Sequence, residues 1–224
     1  MVSNSRIASI AGLAWVSTVQ YFVILVVVQS RWTTPYSWTR NAISDLGADT
    51  CFQSEHVDTW VCSPWHVLAN ISWILSGLCL AVGALLAARI YGRNRLARVG
   101  FALYAAAGIG LVMVGFNPED TRIAPHTIGA IVAIAGGAVA VVLTAAAMIA
   151  DGRTPALGRI GIALGVIAIA SFVATMAKVG GAEMFGLWER LAAFPVLIWA
   201  ILHGIAMLTR PVASLTPEPE RSLS

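Results

Sequence analysis

The stretch His66–Ala88, HVLANISWILSGLCLAVGALLAA, decides the fold: its twenty-three residues hold no Lys, Arg, Asp or Glu, and about 20 apolar residues of helix are enough to cross a hydrocarbon core. Working outward, five further stretches can do the same: Ile7–Val28, Val99–Phe116, His126–Ala150, Leu157–Ala177 and Leu191–Leu208. A chain that is 58% hydrophobic and 11% charged, with a mean hydropathy of +0.79, cannot fold as a water-soluble globule. The first stretch is too long for a signal-peptide core and ends without a small-residue cleavage site, so it counts as a helix. The expected architecture is all-α, a polytopic bundle of six transmembrane helices in three hairpins. It forms one domain over residues 1–208, and residues 209–224, rich in Pro, Ser, Thr and Glu, read as a disordered cytoplasmic tail.

Cytoplasmic loops carry the excess of positive charge. With the amino terminus inside, Arg6, Arg89, Arg93, Arg95, Arg98, Arg153, Arg159, Arg210 and Arg221 face the cytoplasm, nine of the fourteen Lys and Arg; Arg31, Arg40, Arg122, Lys178 and Arg190 face outward. The expectation is a multi-pass protein of a bacterial-type plasma membrane with both termini cytoplasmic. A pI near 9.0 does not indicate nucleic acid, because the basic residues are scattered over short segments with no helix-turn-helix, zinc-finger or aromatic-interleaved pattern. Arg89 to Arg98 read as a topological anchor against anionic lipid, and membrane lipids are the expected partners.

The helices are rich in small residues, Gly161 and Gly165 among them, a spacing that suits either an internal contact or a homo-oligomer interface. Pro195 inside the last helix is expected to kink it. Cys51 and Cys62 share the first outer loop, where a disulfide is expected over free thiols in an oxidising compartment. Metal ligation by this pair lacks the second close pair of a zinc knuckle. Cys79 reads as a small apolar packing residue.

Function is to be sought in that loop, residues 31–65. If Pro35–Leu46 forms a short surface helix, Ser37, Asn41 and Ser44 recur at i, i+4 and i+7 with Asp45 beside them, and Gly47 terminates it. Trp32, Trp38, Trp60 and Trp65 suit an interfacial aromatic belt. The second hairpin turns through Asn117-Pro118-Glu119-Asp120 toward His126, and the third hairpin returns through Glu189-Arg190. His66, Asn70, Ser72 and Ser76 extend a polar line down the second helix. Converging at the outer ends of three hairpins, Tyr36, Ser37, Asn41, Ser44, Asp45, His66, Asn70, Asp120, His126, Glu189 and Arg190 are the expected lining of one polar cavity.

The elements Tyr36-Ser37, Asn41, Ile43-Ser44-Asp45-Leu46-Gly47, Cys62-Ser63-Pro64-Trp65-His66 with Asn70, Gly115-Phe116-Asn117-Pro118-Glu119-Asp120 with His126, and Gly186-Leu187-Trp188-Glu189-Arg190 resemble the bacterial membrane family known as domain of unknown function 998. The resemblance covers residues 10 to 208. It implies a six-helix integral membrane protein and says little about activity.

Two classes of function fit these residues. The first is an outer-face cavity that binds a lipid or another amphipathic molecule. The second is an intramembrane hydrolase acting on a lipid headgroup, with catalytic candidates Ser44, Asp45, His66, Asp120 and His126, and with Zn²⁺ held by His66, Asp120 and His126 to activate water. Ser37 or Ser44 would alternatively serve as nucleophile or oxyanion donor. A distant likeness to the alkaline ceramidase and adiponectin-receptor superfamily supports the second class, but this chain has six helices instead of seven and only His203 where a His-x-x-x-His pair is expected. A small transporter is disfavoured because helices three to five carry no central acid, Lys or broken polar segment.

Overall fold

The computed structural model describes residues 3–54, 59–92, 94–152 and 154–209. The expected tail beyond Thr209 lies outside the described residues, as do Arg93 and Arg153. Six helices long and apolar enough to cross a membrane span Asn4–Gln29, His66–Tyr91, Arg95–Phe116, Ile123–Ala150, Pro155–Met176 and Gly181–Thr209. The chain is thus a multi-pass membrane protein; the second span begins at His66 as expected, four others begin two to four residues earlier, and the sixth begins ten residues before Leu191.

The first span is not one helix. It divides into α1 (Asn4–Val16) and α2 (Val19–Gln29) at Ser17-Thr18. Both hydroxyls turn back onto the preceding turn, Ser17 to the Leu13 carbonyl at 2.8 Å and Thr18 to that of Trp15 at 2.6 Å, competing with the backbone ladder there. The second and third spans are α3 (His66–Tyr91) and α4 (Arg95–Phe116). The fourth span comprises α5 (Ile123–Ile131), a π-helical turn at Val132–Gly136, and α6 (Gly137–Ala150). The fifth is α7 (Pro155–Met176), and the sixth is α8 (Phe185–Thr209), which contains Pro195.

The spans close into a ring: α1 packs on α3, α3 on α4, α4 on α6, α6 on α7, α7 on α8, and α8 back on α1. Small residues permit the close approaches. A Cβ on Gly77 would strike the Gly108 carbonyl, and one on Gly110 would meet the Gly129 carbonyl at 2.6 Å. Contact between α6 and α8, with a Trp199 indole N–H donating to the Thr144 hydroxyl at 3.1 Å, leaves α7 behind them. On α7, Gly161 and Gly165 face Ala145, Trp199 and Val142, so this stripe is filled from within the chain. Toward the end of the bundle away from the long loop, the rings of Trp15, Phe101, Tyr91 and Trp199 surround His203 in tilted and edge-on contacts.

In the long loop the only helix among the described residues is the 3-10 turn Ser44–Gly47. The expected helix over Pro35–Leu46 is not formed: upstream of Ser44 the chain runs in turns, with the Asn41 side chain accepting the Ser37 amide at 3.0 Å. A hairpin of β1 (Phe52–Ser54) and β2 (Thr59–Val61) follows, flanked by a Cys51–Cys62 disulfide.

Candidate functional site

Ser-Asp-Leu-Gly is the seed of the site. The buried Asp45 carboxylate accepts the Ala42 amide at 3.1 Å and the Asn41 side-chain amide at 2.9 Å, which fixes the 3-10 turn. Gly47 is required at its end: any Cβ would overlap the Trp73 ring and the Asn70 amide oxygen, while its carbonyl accepts from Asn70 Nδ2 at 2.9 Å. Ser63 seals the turn from beneath, donating to the Leu46 carbonyl at 2.7 Å.

The start of α8 holds this loop from the other side. A Glu189 carboxylate oxygen accepts the Ile43 amide at 2.6 Å. The buried Arg190 guanidinium donates to the carbonyls of Asn41 at 2.6 Å and Gly186 at 2.9 Å and to the Tyr36 hydroxyl, and it lies over the rings of Trp38 and Tyr36. Tyr36 in turn donates to the Ala42 carbonyl at 3.1 Å. Burial pushes the Tyr36 hydroxyl well above the usual phenol range, against the opposing pull of Arg190, so it stays a donor. Arg40 forms an ion pair with Glu183, and the Leu187 amide donates to the Thr39 carbonyl at 3.0 Å.

The turn between α4 and α5 supplies a third wall. Glu119 lies beside both the Ser44 hydroxyl and the Asp45 carboxyl. Burial raises Asp45 despite the bonds from Asn41, Glu119 and Ala42; burial and the Asp45 charge together raise Glu119 well above the usual carboxylate range. Two carboxyls in contact share a proton, since both cannot ionise cheaply. His126, near the start of α5, places Nδ1 at 2.7 Å from the Asn117 carbonyl. A carbonyl only accepts, so Nδ1 carries the hydrogen and Nε2 keeps a free lone pair.

Two chambers meet here. A vestibule of about 370 Å³ is walled by Asp45, Glu119, Asp120, Thr50 and the three residues of β1. Below it a cavity of about 60 Å³ runs into the bundle. Tyr21, Ser44, His126 and Glu189 stand at its head, and Trp73, Leu80, Ala107, Leu111, Ala130 and Ile134 line its depth. Ser44 lines both chambers.

Other expected site residues are placed elsewhere. His66 bonds the Ser63 carbonyl through Nδ1 at 3.0 Å and meets Asp49 at 3.1 Å through Nε2, facing neither chamber. Asp120 touches the vestibule but is occupied as a clamp, accepting the Asp49 and Thr50 amides at 3.0 and 2.7 Å and the Thr50 hydroxyl. Partial burial raises its carboxyl, and the Thr50 and Asp49 bonds outweigh that, leaving it below its ordinary value. The expected zinc set of His66, Asp120 and His126 is therefore corrected: each is held by a different partner, and no three His, Cys, Asp or Glu among the described residues converge to hold a metal. Ser37 bonds Thr39 and the Arg40 amide and lines neither chamber. Ser72 and Ser76 do not extend the polar line inward, because Gln20 of α2 takes both, accepting from Ser72 at 2.9 Å and donating to Ser76 at 2.5 Å.

Sequence reading missed Glu119, Tyr21 and Trp73. Glu119 adjoins the chosen Asp120, and only the direction of the turn decides which acid points inward. Tyr21 is a phenol in an apolar run, ordinary in sequence. His203 is fully buried and carries two ring nitrogens without a hydrogen-bond partner among the described residues.

Neither a curated protein nor a solved structure matches the chain. The model of a protein family described as "Protein of unknown function (DUF998)" matches residues 6–206, nearly all of the loop-bearing bundle, and the chain belongs to that family.

Proposed function

We propose that this protein binds one amphipathic, lipid-like molecule at the loop end of the bundle, with its polar head at the top of the cavity, next to the vestibule, and an apolar chain in the cavity. The observation that carries this reading is that Ser44 lines both a chamber with several carboxyl and hydroxyl groups and an apolar one. Binding sites of this kind are mostly apolar with a few placed polar groups. The cavity is slender. Trp73 to Leu80 and Ala107 to Val114 are each seven helical steps apart, about 10 Å at 1.5 Å per residue. The open space, about 60 Å³, admits one chain end-on, and a longer chain seats by displacing the apolar side chains around it. The alanines at 107, 130, 133 and 193 create the space, which larger side chains would fill.

The test is solvent extraction and mass spectrometry of lipid retained by protein purified in mild detergent. Wild type is expected to retain a defined lipid in near-equimolar amount, and Ala130→Phe, which fills the cavity, to lose it. Ala124→Phe, on an exposed face of the same helix, is expected to retain it. Equal retention by all three proteins would overturn the reading.

A further inference from the structure

Two polar groups at the head of the cavity have no hydrogen-bond partner among the described residues, although their side chains are more than nine-tenths buried. They are the Tyr21 hydroxyl, on a residue 4% exposed, and His126 Nε2, on a residue 6% exposed. Neither atom is among those enclosed by protein without a partner, in contrast to the ring nitrogens of His203. Both residues line the cavity, so both atoms open onto its space. Leaving buried polar groups unpaired is costly, and the native answer is a bound group or ordered water.

The hydrogen-bond complement is specific. His126 Nε2 has a lone pair and requires a donor; the Tyr21 O–H requires an acceptor. A hydroxyl group carries both complements, a hydrogen for the imidazole and lone pairs for the phenol. The charges around the mouth argue against an anionic head. Asp45, Glu119 and Glu189 all gather there, and the terminal nitrogens of Arg190 are committed to Asn41, Gly186 and Tyr36. Arg190 itself does not line the cavity.

We infer that the ligand of this cavity is a neutral alcohol, an aliphatic or isoprenoid chain bearing a hydroxyl that is read jointly by Tyr21 and His126. This rests on the proposed binding of an amphipathic molecule and narrows its class. A carboxylic acid or phosphate ester of the same chain is rejected by the carboxyl groups. A primary amine can donate to the imidazole but, once protonated, cannot accept from the phenol. Removing either partner leaves the other polar group buried and unsatisfied, the arrangement by which polar sites discriminate most strongly.

The experiment uses the full chain in lipid nanodiscs and a dodecanol analogue with a diazirine in its chain. Photolabelling is mapped by mass spectrometry and competed with unlabelled dodecanol, dodecanoic acid, dodecyl phosphate or dodecylamine. Saturable labelling of peptides containing Leu111 or Ala130–Ile134 is expected, competed by dodecanol at least about tenfold more strongly than by the others, a difference of one good hydrogen bond. Tyr21→Phe deletes only the phenol oxygen and is expected to weaken dodecanol competition by about five- to tenfold. His126→Gln, which restores an acceptor, is expected to compete more strongly than His126→Leu. Saturable labelling competed equally by all four compounds would overturn the alcohol assignment and leave the cavity as a chain-binding site. Labelling that never saturates would overturn both.

Discussion

Arg190, in the first turns of the last helix, donates through Nη1 to the backbone carbonyl of Asn41 at 2.6 Å, across 149 residues of chain. The same guanidinium reaches Gly186 and Tyr36, so one side chain ties the loop to the helix that lines the cavity. Lysine retains the charge but cannot span three acceptors from one planar fork. Arg190→Lys is expected to destabilise the protein by about 2–4 kcal/mol, the loss of charged hydrogen bonds in a buried position. Thermal unfolding in detergent, followed by tryptophan fluorescence, reads this directly; an unchanged midpoint would show that the tie contributes nothing.

Gly186 faces the same carbonyl. A Cβ there would collide with the Asn41 oxygen, which is backbone and cannot step aside. Gly186→Ala is expected to cost about 1–3 kcal/mol as overpacking and to raise amide hydrogen exchange at Ile43, whose partner Glu189 is carried on the same turn. Retained protection at Ile43 would show that the loop follows the helix.

The contact between Asp45 and Glu119 gives stability a pH dependence. Both carboxyls are raised on folding, so the folded chain holds protons that the unfolded chain releases. Their contribution is complete below the free carboxylate range, about pH 4, and is lost as pH climbs through the folded values. The melting temperature is expected to fall as buffers are taken upward from that range. Glu119→Gln should flatten the decline, and an identical slope in the variant would remove the pair as its source.

His203 offers a test of opposite sign. It packs against Trp15, Tyr91, Phe101 and Trp199, and neither ring nitrogen is hydrogen-bonded among the described residues. His203→Phe removes two unsatisfied buried polar atoms and keeps a ring in the aromatic cluster. It is expected to stabilise the bundle by about 1–2 kcal/mol, measured as a rise in melting temperature. A marked fall would mean that the imidazole has a partner the ring cluster conceals.

The disulfide is expected to act locally. Closing a loop with a sequence separation of 11 is worth about 3 kcal/mol by the chain-entropy relation. In Cys51→Ser/Cys62→Ser protein, exchange should quicken across β1 and β2 while the spans keep their protection. Loss of protection in α3 as well would show the hairpin to be structurally continuous with the bundle.

Six membrane-crossing helices were legible because their signal is length and apolarity, and neither depends on a partner. The cluster Asn41, Asp45, Glu189 and Arg190 was legible because polar groups beside apolar spans rarely lack a use. What escaped depends on direction. Glu119 and Asp120 are adjacent acids, and the backbone turn sends one to Ser44 and Asp45 and the other to the amides of Asp49 and Thr50. Ser72 and Ser76 lie on one helical face as expected, but that face meets Gln20 of the first span, a pairing that no spacing within α3 encodes. His66 and His126 both open helices, and only the fold separates the one beside Asp49 from the one at the cavity head.

The π-helical turn at Val132–Gly136 places Ala133 and Ile134 on the wall of the chamber. Such a turn holds one more residue than the α-helical ladder needs. Deleting a single residue from it would return the helix to regular winding and leave Thr144 facing Trp199, while redrawing the wall that Ala133 and Ile134 form. The dimensions of the chamber are thus set partly by chain counting, and insertion or deletion of one residue would reshape it more than exchanging any single side chain.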